Sequence, residues 1–152
     1  MKIEYINPFI QATEDTFRTM CGVEVERDGQ LTARKNGLSS AYNMIGVIGL
    51  SGAVKGAVLM TMDTVTSRKA IMKFLGDETV SDMDLSDGFG ELLNIISGAA
   101  AAKLGTVHLA IPTVMTGDNQ KIHSLPSSPW IIIPMKFPEW GKFNIEVAME
   151  EA

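Results

Sequence analysis

One cysteine and two histidines are all that this 152-residue chain offers toward thiol or imidazole chemistry. Cys21 can form no internal disulfide, and with no His or Lys neighbour to activate it the thiol reads as core packing. His108 and His123 lack the spacing of a structural zinc site. No G-x-S-x-G nucleophile elbow surrounds any serine, so both histidines read as partly exposed strand or loop residues. Walker loops and dinucleotide fingerprints are missing too: Gly46, Gly49, Gly52 and Gly56 match neither spacing and fit turns and close strand packing instead. Basic residues are also in deficit, 13 against 18 acidic, for a net charge of −5. With no lysine or arginine block, nothing electrostatic supports binding to nucleic acid or an anionic membrane. A basic partner surface is the natural match. Long apolar runs are absent as well. The stretches at Ile45–Leu50 and Ile131–Pro134 are far too short to span a bilayer, and Met1 to Asn7 lacks the continuous apolar core of a signal peptide. The expected location is the cytoplasm.

What is present reads as one folded domain over residues 1–152, since 45% of residues are hydrophobic and 20% charged. Asn7 and Pro8 look like the N-cap and first residue of a helix. Phe9, Ile10, Thr13, Phe17 and Met20 then recur at helical spacing up to the stop at Gly22. Val23 to Gly37 is polar, with a turn at Asp28-Gly29. Ala41–Leu50 and Ala53–Met62 read as a hairpin around Ser51-Gly52. Asp63 or Thr64 caps a helix running to about Leu75, closed by Gly76. An acidic connector follows over Asp77–Asp84, then an alanine-rich helix from near Leu85 to Leu104. The rest looks extended: Val107–Ile111, Pro112–Met115, Trp130–Phe137 and Phe143–Met149. Prolines at 126, 129, 134 and 138 put kinks or edge positions there, and the last segment alternates as a half-exposed strand does. The ten methionines fit as fillers of core gaps rather than metal ligands.

The alanine-rich helix carries the one unusual pattern. Asp87, Glu91, Asn94 and Gly98 fall within a sector of about 60° on its surface. Phe89, Leu92, Leu93, Ile96, Ala99 and Ala100 occupy the other side and should pack inward. Gly98 and Ala101 would let a partner approach the helix backbone closely. Two carboxylates on one helix cannot face each other across a substrate, so Asp87 and Glu91 are no glycosidase pair. The Asn94 amide is no proton acceptor near neutral pH; its useful chemistry is to hold a water or polar ligand in a fixed direction. Superposing Gly22 on Gly105 hints at two related halves. Gln11 then falls at the position of Asn94, and Pro8 at that of Glu91.

The segment D-G-F-G-E-L-L-N-I-I-S-G-A-A-A-A-K-L from Asp87, with its E-x2-N core, resembles the CheC/CheX family of chemotaxis phosphatases, and the CheX branch most closely. Ile111-Pro-Thr-Val-Met-Thr-Gly117 is similar to the proline-led strand that follows this helix in the family, and Gly46 to Met60 to its glycine-punctuated hairpin. The resemblance implies an α/β (α+β) CheC-like fold with long helices on an extended antiparallel sheet. It also implies dephosphorylation of a phosphorylated CheY-type response regulator. Asn94 would orient the attacking water in line with phosphorus, and Glu91 would pair with the lysine of the regulator's site. Asp87, Gly98 and Ala101 would support partner binding, and Asp87 would complement the helix dipole. Magnesium would belong to the regulator, leaving this chain no cofactor of its own. A homodimer with one site per chain is implied as well, and the extended segments Trp130–Ile133 and Phe143–Met149 offer edges for it. The alternative is a non-catalytic regulator-binding or flagellar-switch scaffold that docks through the same acidic helix face.

Overall fold

A computed structural model of the chain describes residues 3–34, 42–117 and 129–151. Its centre is the expected hairpin. Strands β3 (Met44–Gly52) and β4 (Val54–Met62) pair from Met44↔Met62 to Leu50↔Gly56. Gly52 makes the turn possible with φ 101°, and a methyl there would stand 2.5 Å from the Thr106 carbonyl oxygen. β4 pairs on its other side with β8 (Lys142–Glu151), which in turn pairs with β7 (Trp130–Lys136). Four short strands flank these: β1 (Glu26–Arg27) and β2 (Thr32–Arg34) on β7, β5 (Val107–Leu109) and β6 (Thr113–Thr116) on β3. All pairings are antiparallel, in the order β1-β7-β8-β4-β3-β5. The order is palindromic by halves. The short strands that follow the first long helix cover the late hairpin, and those that follow the last helix cover the early one.

This order corrects one expectation. β7 and β8 are interior strands and offer no free edge for a partner chain. The strands that cover β7 are too short and polar to show a period; both residues of β1 are exposed.

Helices α1 (Ile3–Cys21), α2 (Thr64–Leu75) and α3 (Asp82–Ala101) pack on one face of the sheet. The core between the layers holds Phe9 and Phe17 of α1, Ile71 of α2 and Phe89, Leu92, Leu93 and Ile96 of α3. From the sheet come Ile48, Val58, Met60, Phe143 and Ile145. Each large apolar side chain so buried contributes about 1.5–3 kcal/mol. Phe137, beyond β7, meets Phe17 edge-on at a centroid distance of 5.2 Å, pinning α1 to the far hairpin.

α1 begins earlier than Asn7 and carries Pro8 within it. Ile6 is buried and Tyr5 packs on the core, so burial outweighs the lost backbone hydrogen bond. α2 is bounded as expected, by Asp63 and by a left-handed Gly76 at φ 66°. The Asp63 side chain makes no capping bond; Asn43 Oδ1 instead accepts from the Thr64 N–H at 2.9 Å. The supposed acidic connector ends inside α3. Ser81 Oγ caps it by accepting from the Asp84 N–H at 3.1 Å, which places Asp82 and Asp84 in the first turn, where the helix dipole favours them. Arg68 of α2 donates to Asp82 at 2.8 Å and to the Val80 carbonyl, tying the two helices together at this end.

β8 is not half-exposed. Phe143, Ile145, Val147 and Met149 face the helices, and Ala148 lies in a second apolar cluster on the opposite face with Ile45, Ala57, Leu59 and Trp130. Glu146 also points to that face, only 1% exposed and ion-paired with Arg34. Burial pushes its carboxyl pKa up, and the guanidinium beside it pulls the other way. The Asp28-Gly29 turn is present, with Gly29 at φ 98°. Ala41, the expected start of the hairpin, His123 and Pro126 lie outside the described residues.

Candidate functional site

α3 presents the acid–amide row on the side away from the core. Asp87 and Glu91 are exposed and Asn94 is half-buried. Among the described residues, the side chain of neither Glu91 nor Asn94 takes part in any hydrogen bond or ion pair. An acid and an amide held on a rigid 20-residue helix and left unsatisfied by their own chain are available to another molecule. Asp84 is exposed one turn before Gly88, beside the row, so three carboxylates line this face.

The glycines of α3 serve a different purpose from the one expected. A methyl at Gly98 would lie 3.6 Å from Leu109 Cδ1, and one at Gly90 would lie 3.3 Å from Val114 Cγ2 and 3.7 Å from Pro112 Cγ. Ala101 is buried at 4% exposure. Gly98 therefore lies against Leu109 of β5 while staying half-buried, and Ala101 is closed to a partner. Ala99, expected inside, is exposed. The buried face is shifted rather than symmetric: Gly90, Ser97 and Ala101 are buried on its other side, where Val114 and Pro112 lie beside Gly90.

The corresponding face of α1 is chemically different. Gln11 Nε2 donates to Asp15 Oδ1 at 3.0 Å, and Asp15 also receives Arg18 at 3.0 Å, which reaches on to Glu24 at 3.2 Å. That amide is engaged, and Pro8 supplies no acid. The free acid–amide pair belongs to α3.

Other candidate chemistries fall away. Burial raises the Cys21 thiol to about 12, far from a reactive thiolate. His108 is exposed on β5. Among the described residues no three His, Cys, Asp or Glu side chains converge as a metal site. No helix there is long and apolar enough to cross a membrane. Two clefts of about 370 and 400 Å³ among the described residues are shallow and lie along α2 beside Lys69 and Met72, away from the acid–amide row. A flat, open site suits a macromolecular partner better than a small substrate. One residue near the row escaped sequence reasoning. Ile111, read as the end of an extended apolar segment, is 90% exposed.

Known proteins resolve the kinship. The family model for the chemotaxis phosphatase CheX matches residues 44–136, more than half of the chain and including all of α3. The chain belongs to the CheX family. A crystal structure of CheX from Desulfovibrio desulfuricans shares 32% identity, with TM-score 0.86, covering 97% of this chain and 99% of that one. A CheC-like superfamily protein from a Shewanella species shares 27% identity at TM-score 0.83, covering 99% of each chain. CheX from Borrelia burgdorferi, crystallised with CheY, BeF3 and magnesium, shares 23% identity at TM-score 0.71 over 99% of this chain and 100% of that one. At that last identity the likeness is one of fold. No curated protein matches the chain by sequence.

Proposed function

We propose that this CheX-family chain dephosphorylates a phosphorylated CheY-type response regulator, using Glu91 and Asn94 of α3. The observation that carries the reading is the unpartnered acid–amide pair, one helical turn apart on the open face of a rigid helix. Membership of a family of chemotaxis phosphatases supports the reaction class. That the Borrelia relative has been crystallised with CheY supports the kind of partner.

The chemistry asks little of the protein beyond position and charge. The Asn94 carboxamide holds one water in line with the phosphorus of the regulator's aspartyl phosphate. The water oxygen bonds to phosphorus, the bond from phosphorus to the carboxylate oxygen breaks, and inorganic phosphate leaves with the regulator's carboxylate restored. A proton of the attacking water passes to phosphate or to bulk solvent, since an amide does not accept it. Glu91 pairs with the lysine in the regulator's site and so fixes the helix against it. Asp87 adds charge that steers a basic surface inward. Magnesium is supplied by the regulator, and this chain contributes no cofactor. The homodimer with one site per chain belongs to the same reading. Sedimentation that finds only monomer at working concentration removes it.

The test is the lifetime of a phosphorylated CheY-type regulator with and without this protein. A shortened lifetime, lost on Asn94→Ala, is expected. A lifetime unchanged by the wild-type protein, with tight binding that Glu91→Lys abolishes, assigns the chain to the non-catalytic scaffold class.

A further inference from the structure

The described residues hold six large apolar side chains in the open, and two of them, Met83 and Ile111, border the acid–amide row. Single exposed apolar residues are ordinary on protein surfaces. These two differ in where and how they are held.

The register along α3 locates Ile111. Leu109 packs over Gly98, and Pro112 packs over Gly90. Asn94 lies midway between those glycines on the same side of the helix, one turn from each. The two residues between Leu109 and Pro112, Ala110 and Ile111, therefore pass the helix at the level of Asn94. The segment is anchored on both sides. The Ala110 N–H donates to the Gly49 carbonyl at 2.9 Å, and Pro112 confines Ile111 to extended backbone. A branched apolar side chain, 90% exposed, is thus held on an anchored backbone segment that passes the helix at the level of the amide. At the other end of the row, Met83 is 75% exposed one turn before Asp87. The acidic and amide groups lie between the two.

We propose that Ile111, with Met83 as a second contact, is the apolar seat on which the receiver domain of the phosphorylated regulator docks, and that it sets affinity without taking part in the chemistry. This rests on the phosphatase reading above and adds the residues that select the partner. The fitting receiver presents an apolar strip beside its phosphorylation site and a basic group facing Asp87 and Glu91. An apolar anchor next to a charged reactive pair, with polar groups around it, is how interfaces concentrate their binding energy. Because the anchor is pinned before binding, little ordering cost opposes it.

The test uses the full chain and CheY-type receiver domains from the same organism, loaded with beryllofluoride and Mg2+ for binding and phosphorylated for turnover. Ile111→Ser is expected to weaken binding about ten- to a hundredfold, as burial of one such side chain predicts. Turnover at saturating receiver should stay within about twofold of wild type, so that KM rises while kcat holds. Met83→Ser should show a smaller change in the same direction. Asn94→Ala should show the opposite split, with affinity kept and kcat lost. Thermal melting of Ile111→Ser should match wild type, since the side chain touches little of its own protein.

Binding by Ile111→Ser within about twofold of wild type, while Asn94→Ala lowers turnover about ten- to a hundredfold, overturns the seat and leaves the phosphatase reading standing. A wild-type protein that binds in an Ile111-dependent way yet accelerates no hydrolysis overturns the phosphatase reading and upholds the seat. Failure to bind any of these receivers overturns both.

Discussion

Replacing Asn94 with alanine should move stability and activity in opposite directions. The side chain sits in the interior of α3, half-buried, and takes no hydrogen bond from its own protein. Its removal therefore leaves no buried partner unsatisfied. Alanine is the better helix former by up to about 0.7 kcal/mol, and the small packing loss of a half-exposed amide offsets part of that. For a chain of this size, a gain of that order raises Tm by at most about 2 °C. Hydrolysis of the phosphorylated regulator should fall about ten- to a hundredfold, equivalent to roughly 1.4–2.7 kcal/mol of lost transition-state stabilisation. Affinity for a beryllofluoride-loaded receiver should be retained, because Glu91 and the surrounding surface remain. The assays are a thermal melt, a binding isotherm and the decay of radiolabelled phospho-regulator, all on one preparation. A Tm drop of more than about 4 °C would mean that the amide has an internal structural task, against the geometry described. Undiminished hydrolysis would refute the role assigned to it.

Three further outcomes follow from the packing. Gly56→Ala would bring a methyl to 1.9 Å from the Ala148 carbonyl oxygen in the central β4–β8 pair, so a destabilisation of about 3 kcal/mol or more is expected in urea unfolding. Near-normal stability would mean that these strands separate more easily than their full-length pairing implies. Ser81→Ala removes the cap of α3 and should destabilise the protein by about 0.5–2 kcal/mol without changing turnover at saturation, as a denaturant midpoint and a rate measurement would show. Glu146 has its folded pKa raised above the ordinary carboxylate value, so its proton is held more tightly in the folded than in the unfolded chain. The stability this contributes is complete below the unfolded pKa and is lost as pH rises through the folded one. The stability difference between wild type and Glu146→Gln should therefore shrink or reverse as pH climbs from 4.5 across the mildly acidic range, and parallel pH profiles would contradict the shift.

Local punctuation made much of this fold legible in the sequence. Asp63 and Gly76 bracket α2, Ser51-Gly52 turns the central hairpin, and the alanine run extends α3, because caps, turns and propensities act within a few residues. The acid–amide row was equally readable, since helical periodicity alone places Glu91 and Asn94 together on one face. What escaped was set by tertiary partners. Pro8 looked like a helix start because burial of Ile6 is invisible to local rules. Glu146 looked exposed because its neutralising partner, Arg34, lies far off on β2. Ala101 looked open because nothing in α3 announces its burial, nor that Leu109 will lie against Gly98. The exposure of Ile111 was hidden in the same way: Leu109 and Val114 pack against the core while Ile111 between them is left outside.

The placement of β8 between β7 and β4 also bears on how the molecule is made. A ribosome delivers β4 long before the strand that will satisfy its outer row of amides and carbonyls. Until Lys142 to Glu151 arrive, the nascent hairpin carries a long, bare, glycine-containing ladder that any extended peptide could occupy. Lesions near this seam should thus surface first as aggregated product and low yield, with the molecules that do mature retaining ordinary signalling competence.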